Sequence, residues 1–307
     1  MIGAHLDRHG IDVALVARGA HGAAIERDGL VLESPDAPPS VHRVRVAEDP
    51  AQLDLDEHDV VLLTVKSQDT EAALAAIEAA AGRGVTVVCV QNGVENERVA
   101  LRRFARTYSV CVMLPSTHLE PGVVRAHSAP LAGSLDIGRH PAGSDATAER
   151  IAATLRRCGF ASQPRGDVLR WKYAKLLRNL DNATRALLGP LPAGRELGRR
   201  ARAEALAAYA AAGIDHVGDE EFEAHHSSVV RVATDMPMLG SSWQSLARGH
   251  VRTEADHLNG EIVLLGRLHG VPTPANAMLA AAAAQAAREG IAAGSLDEGS
   301  LLARLAA

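Results

Sequence analysis

The chain has 307 residues, 47% hydrophobic and 22% charged, which suits a folded globular protein of about two domains and excludes a disordered one. With 32 Lys and Arg against 37 Asp and Glu, its net charge of −5 argues against a general nucleic-acid binder. The longest uncharged apolar run, Ala277 to Ala287, is too short to span a bilayer, and Met1 to Arg18 carries too much charge for a signal peptide.

In chain order, Ile2 to Leu6 reads as the first turn of a helix that Gly10 ends, and Ile11 to Ala17 as a strand. Asp59 to Val65 is a continuous apolar run of the kind a parallel strand covered on both faces shows. Thr70 to Ala81 is Ala-rich and helical, and Val85 to Val90 is a second buried strand. Ser109–Met113, Val123–Ala126 and Leu135–Ile137 are further short strands. Alternation of this kind predicts a doubly wound α/β sheet. After about Gly166 the texture changes. Residues 167–188, 194–212, 219–234, 253–270 and 276–287 read as helices, punctuated by Pro190-Leu191-Pro192 and by Val271-Pro272-Thr273-Pro274. The expected organisation is an α/β domain over 1–165 and an all-helical domain over 166–307.

A Rossmann sheet opens with a strand, a glycine-rich turn and a helix whose N-terminus meets a pyrophosphate. Gly3 stands where the third glycine of that turn belongs, so the first strand and the first two glycines are expected to be missing from this sequence. Arg18 ends the next strand, where an arginine suits the 2′-phosphate of NADP; a merely exposed arginine is the competing reading.

The basic residues are almost all arginine. The only lysines are Lys66, Lys172 and Lys175, and lysine, unlike arginine, can give up its proton. Lys66 lies in Thr64-Val65-Lys66-Ser67-Gln68-Asp69-Thr70, at the end of a parallel strand, the sheet edge where ligands bind. Gln91-Asn92-Gly93-Val94-Glu95-Asn96 ends the next strand. On one helix, Lys172, Lys175, Asn179 and Asn182 fall within about 80° of arc at 3.6 residues per turn. That face is either a solvated stripe or a site, and asparagine is a poor helix-interior residue unless it is used. Gly240-Ser241-Ser242-Trp243-Gln244-Ser245 reads as a hydroxyl-rich turn. Thr253 and Glu254 open a helix, as substrate ligands or as plain N-terminal residues. Cys89, Cys111 and Cys158 match neither a disulfide framework nor a metal cluster, so a reducing, cytoplasmic setting without a metal is expected.

Val-Lys-Ser-Gln-Asp-Thr, Gln-Asn-Gly, Trp-x-x-x-Lys-Leu-x-x-Asn, Ser-Ser, Thr-Glu-x-Asp-x-Leu-Asn-Gly and His-Gly-Val-x-Thr-Pro occur here in the order found in the ketopantoate reductase family, which the chain resembles over nearly its whole length. The resemblance implies NADPH-dependent reduction of a 2-keto acid, most directly 2-dehydropantoate, in a cleft between a Rossmann domain and a helical domain, as in pantothenate biosynthesis. It implies that Lys175 is the general acid, with Lys172 a rival on the same face, and that Glu254 is an acid near the substrate. Ser242 would hold the substrate carboxylate. Asn179 and, more loosely, Asn182 would bind substrate. Gly3, Arg18, Lys66 and Asn92 would contact the cofactor, Asn92 the substrate as well. The implied partners are a small keto acid and a second copy of the chain, with no nucleic acid or membrane.

The sequence also departs from the family. Ser245 replaces the acid of the usual Ser-Met-x-Gln-Asp, Trp243 is expected to change the pocket's volume, and Leu239 stands where ketopantoate-specific members tend to have asparagine. A site that loses a polar partner loses discrimination. A different keto acid, an amino-acid-derived imine, or a chain that does no catalysis as written are therefore the alternatives.

Overall fold

Runs of Val, Leu and Ile become strands in the first half of the chain, and Ala-rich stretches become its helices. The computed structural model describes residues 1–189, 195–233, 240–249 and 251–306; the Pro190-Leu191-Pro192 connection and Leu239 lie outside them. The first half runs α1 (Ile2–Arg8), β1 (Ala14–Val16), α2 (Gly19–Asp28), β2 (Leu30–Ser34), β3 (Ala37–His42), β4 (Arg45–Ala47), β5 (Val60–Leu63), α3 (Thr70–Ala81), β6 (Thr86–Cys89), α4 (Asn96–Leu101), β7 (Thr107–Met113), β8 (Ser116–Thr117), β9 (Val123–Ala126), β10 (Ser134–Arg139) and α5 (Ala146–Arg157). Helices follow: α6 (Val168–Asn179), α7 (Asp181–Leu188), α8 (Glu196–Ala212), α9 (Asp219–Val229), α10 (Ser241–Ala247), α11 (Ala255–His269), α12 (Pro274–Glu289) and α13 (Glu298–Ala306).

β5, β6 and β7 are parallel, and β10 joins β7 antiparallel at the edge. β1 and β4 form a separate parallel ladder, and β3-β2-β9-β8 form a mixed sheet. This is the expected α/β architecture, a Rossmann-like parallel sheet followed by helices. No described strand joins the β1–β4 ladder to β5, and Val16 and Val60 on these edges are 47% and 43% exposed. The two ladders share a core instead. Ile11 and Val13 before β1 and Leu62 of β5 pack on one cluster with Ile2, Leu6, Val88, Val90 and Val110.

Several local expectations change, among them the helix over 219–234, which ends at Val229 where Val230 turns extended. The strand at Ile11 to Ala17 shrinks to Ala14–Val16, the stretch that pairs with Arg45–Ala47, while Ile11 and Val13 pack on the core without joining the ladder. The helix over 167–188 is two helices that meet at Leu180, whose dihedrals (φ −59°, ψ −31°) stay helical. The hydroxyl-rich turn is the helix α10, with Gly240 as its N-cap. The hairpin β2–β3 gave no signal in the sequence because Pro38 and Pro39 sit in β3, where they are tolerated on an edge strand.

α6 connects the two halves. Trp171 and Ala174 pack with Cys111 and Met113 of β7 and with Val217 and Phe222, and the Arg165 guanidinium lies 4.0 Å over the Trp171 ring. Leu176, Leu177 and Leu180 pack with Val94, Tyr209, Leu258 and Ile262. With those faces buried, the face carrying Lys172 and Lys175 is set against the sheet.

Candidate active site

β5 and β6 are parallel, so the loops that follow them, residues 64–70 and 90–96, leave the same sheet edge. Side chains join these loops. Gln91 Nε2 donates to the Val65 carbonyl (2.7 Å) and to Thr70 Oγ1 (2.8 Å). Thr70 Oγ1 donates to Asn96 Oδ1 (2.7 Å), and Asn96 Nδ2 donates to Ser67 Oγ (3.1 Å) and the Asn92 carbonyl (3.0 Å). Ser67, Thr70, Gln91 and Asn96 are all buried, and these hydrogen bonds tie the two loops together, with Gln91 Oε1 left without a partner among the described residues. Gly93 has φ +79°, and a Cβ there would stand 3.2 Å from the His257 carbonyl oxygen, so only glycine lets α11 dock on this loop. His257 Nδ1 lies 3.0 Å from Glu95 Oε2. That hydrogen bond raises the histidine pKa and lowers that of the carboxyl.

The two lysines of α6 differ in what remains of their donors. Lys172 Nζ donates to the Gln91 carbonyl (3.1 Å), the Val110 carbonyl (3.3 Å) and Glu97 Oε1 (2.5 Å). It is 2% exposed and Glu97 is 0% exposed, so this is a buried ion pair with all three ammonium donors used. Lys175 Nζ donates to Asn92 Oδ1 (2.8 Å) and to the Val112 carbonyl, which leaves one N–H without a partner among the described residues. Burial lowers the Lys175 pKa to about 8, opposed by the charges of Cys111 and Glu254 and reinforced by Lys172.

Glu254 is the N-cap of α11, but its carboxylate does not cap the helix. It is 5% exposed and accepts from the Ser67 N–H (3.3 Å) and Ser67 Oγ (3.4 Å). Lys66 Nζ donates to Ser245 Oγ of α10, and burial lowers its pKa while Glu254 raises it. Ser242 Oγ and Asn179 Oδ1 are buried without a partner among the described residues, and Asn179 lies one turn on from Lys175. Asn182 is in the first turn of α7, and its Oδ1 would be 3.2 Å from a Cβ on Gly240, at the start of α10.

Lys175, Asn92, Glu254, Ser242, Asn179, Asn182 and Lys66 are thus carried by neighbouring elements. Gly3 and Arg18 stand apart from them. A Cβ on Gly3 would lie 2.6 Å from Leu15 Cδ2, the end of a flexible side chain, so Gly3 faces the β1 side chains, while Arg18 is exposed where β1 ends. Trp243, expected in the pocket, has its indole Nε1 3.9 Å from the place of a Cβ on Gly294. A cleft of about 370 Å³ lined by Ser67, Thr70, Asn96, Thr253 and His257 backs this region, but neither Lys175 nor Asn92 lines it.

Sequence reasoning gave no role to Ser67, Asn96, Ser245 or Glu97. Ser67 and Asn96 were visible as polar residues at strand ends. Glu97 gave no signal, because its partner is 75 residues away.

Two family models match the chain: "Ketopantoate reductase PanE/ApbA" over residues 1–142 and "Ketopantoate reductase PanE/ApbA C terminal" over residues 168–287. A 2-dehydropantoate 2-reductase of Halobacterium salinarum is 30% identical over 285 residues, 88% of this chain and 89% of that protein. The crystal structure of a PanE/ApbA family ketopantoate reductase from Ralstonia eutropha JMP134 is similar, with TM-score 0.78 and 31% identity over 94% of this chain and 95% of that one. The ternary structure of D-mandelate dehydrogenase with NADH and anilino(oxo)acetate reaches the same TM-score of 0.78 at 22% identity, covering 94% of both chains, a likeness of fold alone.

Proposed function

The chain belongs to the ketopantoate reductase PanE/ApbA family, and from that premise we propose that it reduces a 2-keto acid, 2-dehydropantoate in the first place, to the 2-hydroxy acid with NADPH. The observation that carries the reading is the unspent N–H of Lys175 beside Asn92. A general acid for carbonyl reduction needs a proton to give and a cationic form to stabilise the developing alkoxide, and a pKa of about 8 leaves the ammonium largely protonated at neutral pH.

The residues present fit a dinucleotide cofactor. Gly3 opens α1 facing Leu15 of β1, where the third glycine of a Rossmann turn belongs, and Arg18 is a permanent cation at the strand end. Gly3, Arg18, Lys66 and Asn92 would hold the cofactor, which when bound supplies the hydride. Asn92 Oδ1 orients the Lys175 ammonium. Ser67 holds the Glu254 carboxylate, whose charge favours the protonated form of Lys175. Ser242 Oγ and Asn179 Oδ1, buried and without a partner among the described residues, are hydrogen-bonding groups for the substrate carboxylate and hydroxyls, with Asn182 beside them.

The same reading divides the chain near residue 165, before α6, into a cofactor-binding part and a substrate-binding part. It places the enzyme in the cytoplasm, consistent with three free buried cysteines, and its role in pantothenate biosynthesis. No described helix is long and apolar enough to cross a membrane. A homodimer would cover Leu264 and Leu268, which α11 exposes at 42% and 67%. The test is NADPH titration by nicotinamide fluorescence, followed by turnover on a panel of 2-keto acids, with and without amine. Binding followed by turnover of 2-dehydropantoate is expected. Absence of binding removes the cofactor assignment, and binding without turnover of any keto acid removes the reaction.

A further inference from the structure

We propose that Arg248, His118 and His21 form a clamp for the diphosphate of the dinucleotide, with Arg248 reaching it from the helical half. The proposal rests on the nicotinamide-cofactor reading above. The three side chains come from distant parts of the chain. His21 is in the first turn of α2, His118 follows β8, and Arg248 ends α10. The two imidazoles meet edge to face with centroids 4.2 Å apart. The Arg248 charge acts on both of them and on Lys66. Among the described residues no carboxylate acts on His21, His118 or Arg248. Burial lowers the pKa of both imidazoles, so the Arg248 guanidinium supplies the positive charge and the neutral rings supply hydrogen-bonding groups, a combination that an external anion can accept from.

The donors are positioned. His21 Nδ1 accepts from the Gly122 N–H (2.9 Å), so the neutral ring carries its proton on Nε2. His118 Nδ1 is buried without a partner among the described residues. Gln244 fixes α10 to the strand: its Oε1 accepts from the His118 N–H (3.2 Å) and its Nε2 donates to the Ser116 carbonyl (3.2 Å). Arg248 Nε donates to the Gln244 carbonyl (3.2 Å), which leaves the guanidinium end exposed. His21 lies one turn before Ile25 of α2, which packs in one cluster with Ala4 of α1, and the start of that first helix is the region in which a doubly wound sheet receives a dinucleotide's diphosphate. The 2′-phosphate, by contrast, falls to Arg18 at the strand end.

The test compares NADPH and NADH titrations of the wild type, Arg248→Ala, Arg248→Lys and Arg18→Ala. Both cofactors carry the diphosphate, so Arg248→Ala is expected to weaken both equally, roughly tenfold for one lost charge-assisted contact. Arg248→Lys recovers part of that loss, and Arg18→Ala weakens NADPH alone. Inorganic pyrophosphate gives a second readout: it raises the Tm of the wild type, and it shifts Arg248→Ala and the His21→Ala, His118→Ala double variant much less. A loss confined to NADPH moves Arg248 to the 2′-phosphate and overturns the assignment. Equal affinities in wild type and Arg248→Ala, or pyrophosphate shifts that the variants keep, also overturn it. If the wild type binds neither cofactor yet responds to pyrophosphate through Arg248, the cofactor reading fails and the anion clamp stands.

Discussion

Lys172 and Lys175 lie one turn apart on α6, and both donate to main-chain carbonyl oxygens of β7. They differ in that Glu97 neutralises the first while the second keeps an N–H in reserve. Lys175→Ala is expected to lower kcat by about 10²–10⁴ while NADPH affinity, read by fluorescence, stays near wild type. The Lys175 ammonium exists below its pKa of about 8, so kcat is expected to fall as pH rises through that value, and a flat profile from pH 7 to 9 would remove the acid role. Lys172→Met strands the buried Glu97 carboxylate and is expected to destabilise the fold by about 3–5 kcal/mol in urea denaturation. Adding Glu97→Leu restores most of that stability. The register of the lysine face could be read from the sequence, because helical spacing is a local property. Which lysine is spent could not, because the answer depends on a carboxylate far along the chain.

Among the elements, the docking of α11 on the loop after β6 turns on one glycine. Gly93 combines a left-handed backbone with a Cβ position 3.2 Å from the His257 carbonyl oxygen, whereas Gly82, at φ +69°, has nothing within 4 Å of its Cβ position. Gly82→Ala is expected to lose about 1 kcal/mol for the backbone alone. Gly93→Ala should lose clearly more and should also raise KM, since α11 carries Glu254 at its start. Equal Tm losses for the two would show that α11 does not bear on Gly93. Elements whose apolar residues form an unbroken run, such as β5 and β6, were visible in the sequence, and so was α3. β3 was hidden by its prolines. α10 was hidden because Gly240-Ser241-Ser242 has the chemistry of a turn, although here its glycine caps a helix.

Over the whole molecule, the general order of α/β elements followed by helices was legible from texture alone, because it follows hydrophobic periodicity. The separation of the parallel strands into two ladders was not, because pairing is a long-range property of strands that look alike in sequence. That separation has a consequence for motion. β6 is hydrogen-bonded on both sides and fully buried, while β1 has β4 as its one partner among the described residues and exposes Val16. Amide hydrogen exchange is therefore expected in two tiers, slow in residues 86–89 and fast in residues 14–16, where local opening breaks a single ladder. The slow tier leads directly into Asn92 and the fast tier into Arg18. A cofactor bound across both would be held stiffly at its nicotinamide end and loosely at its adenosine end, and NADPH should slow exchange most in peptides covering residues 11–18. Equal exchange in the two tiers without cofactor would mean that the ladders open as one sheet.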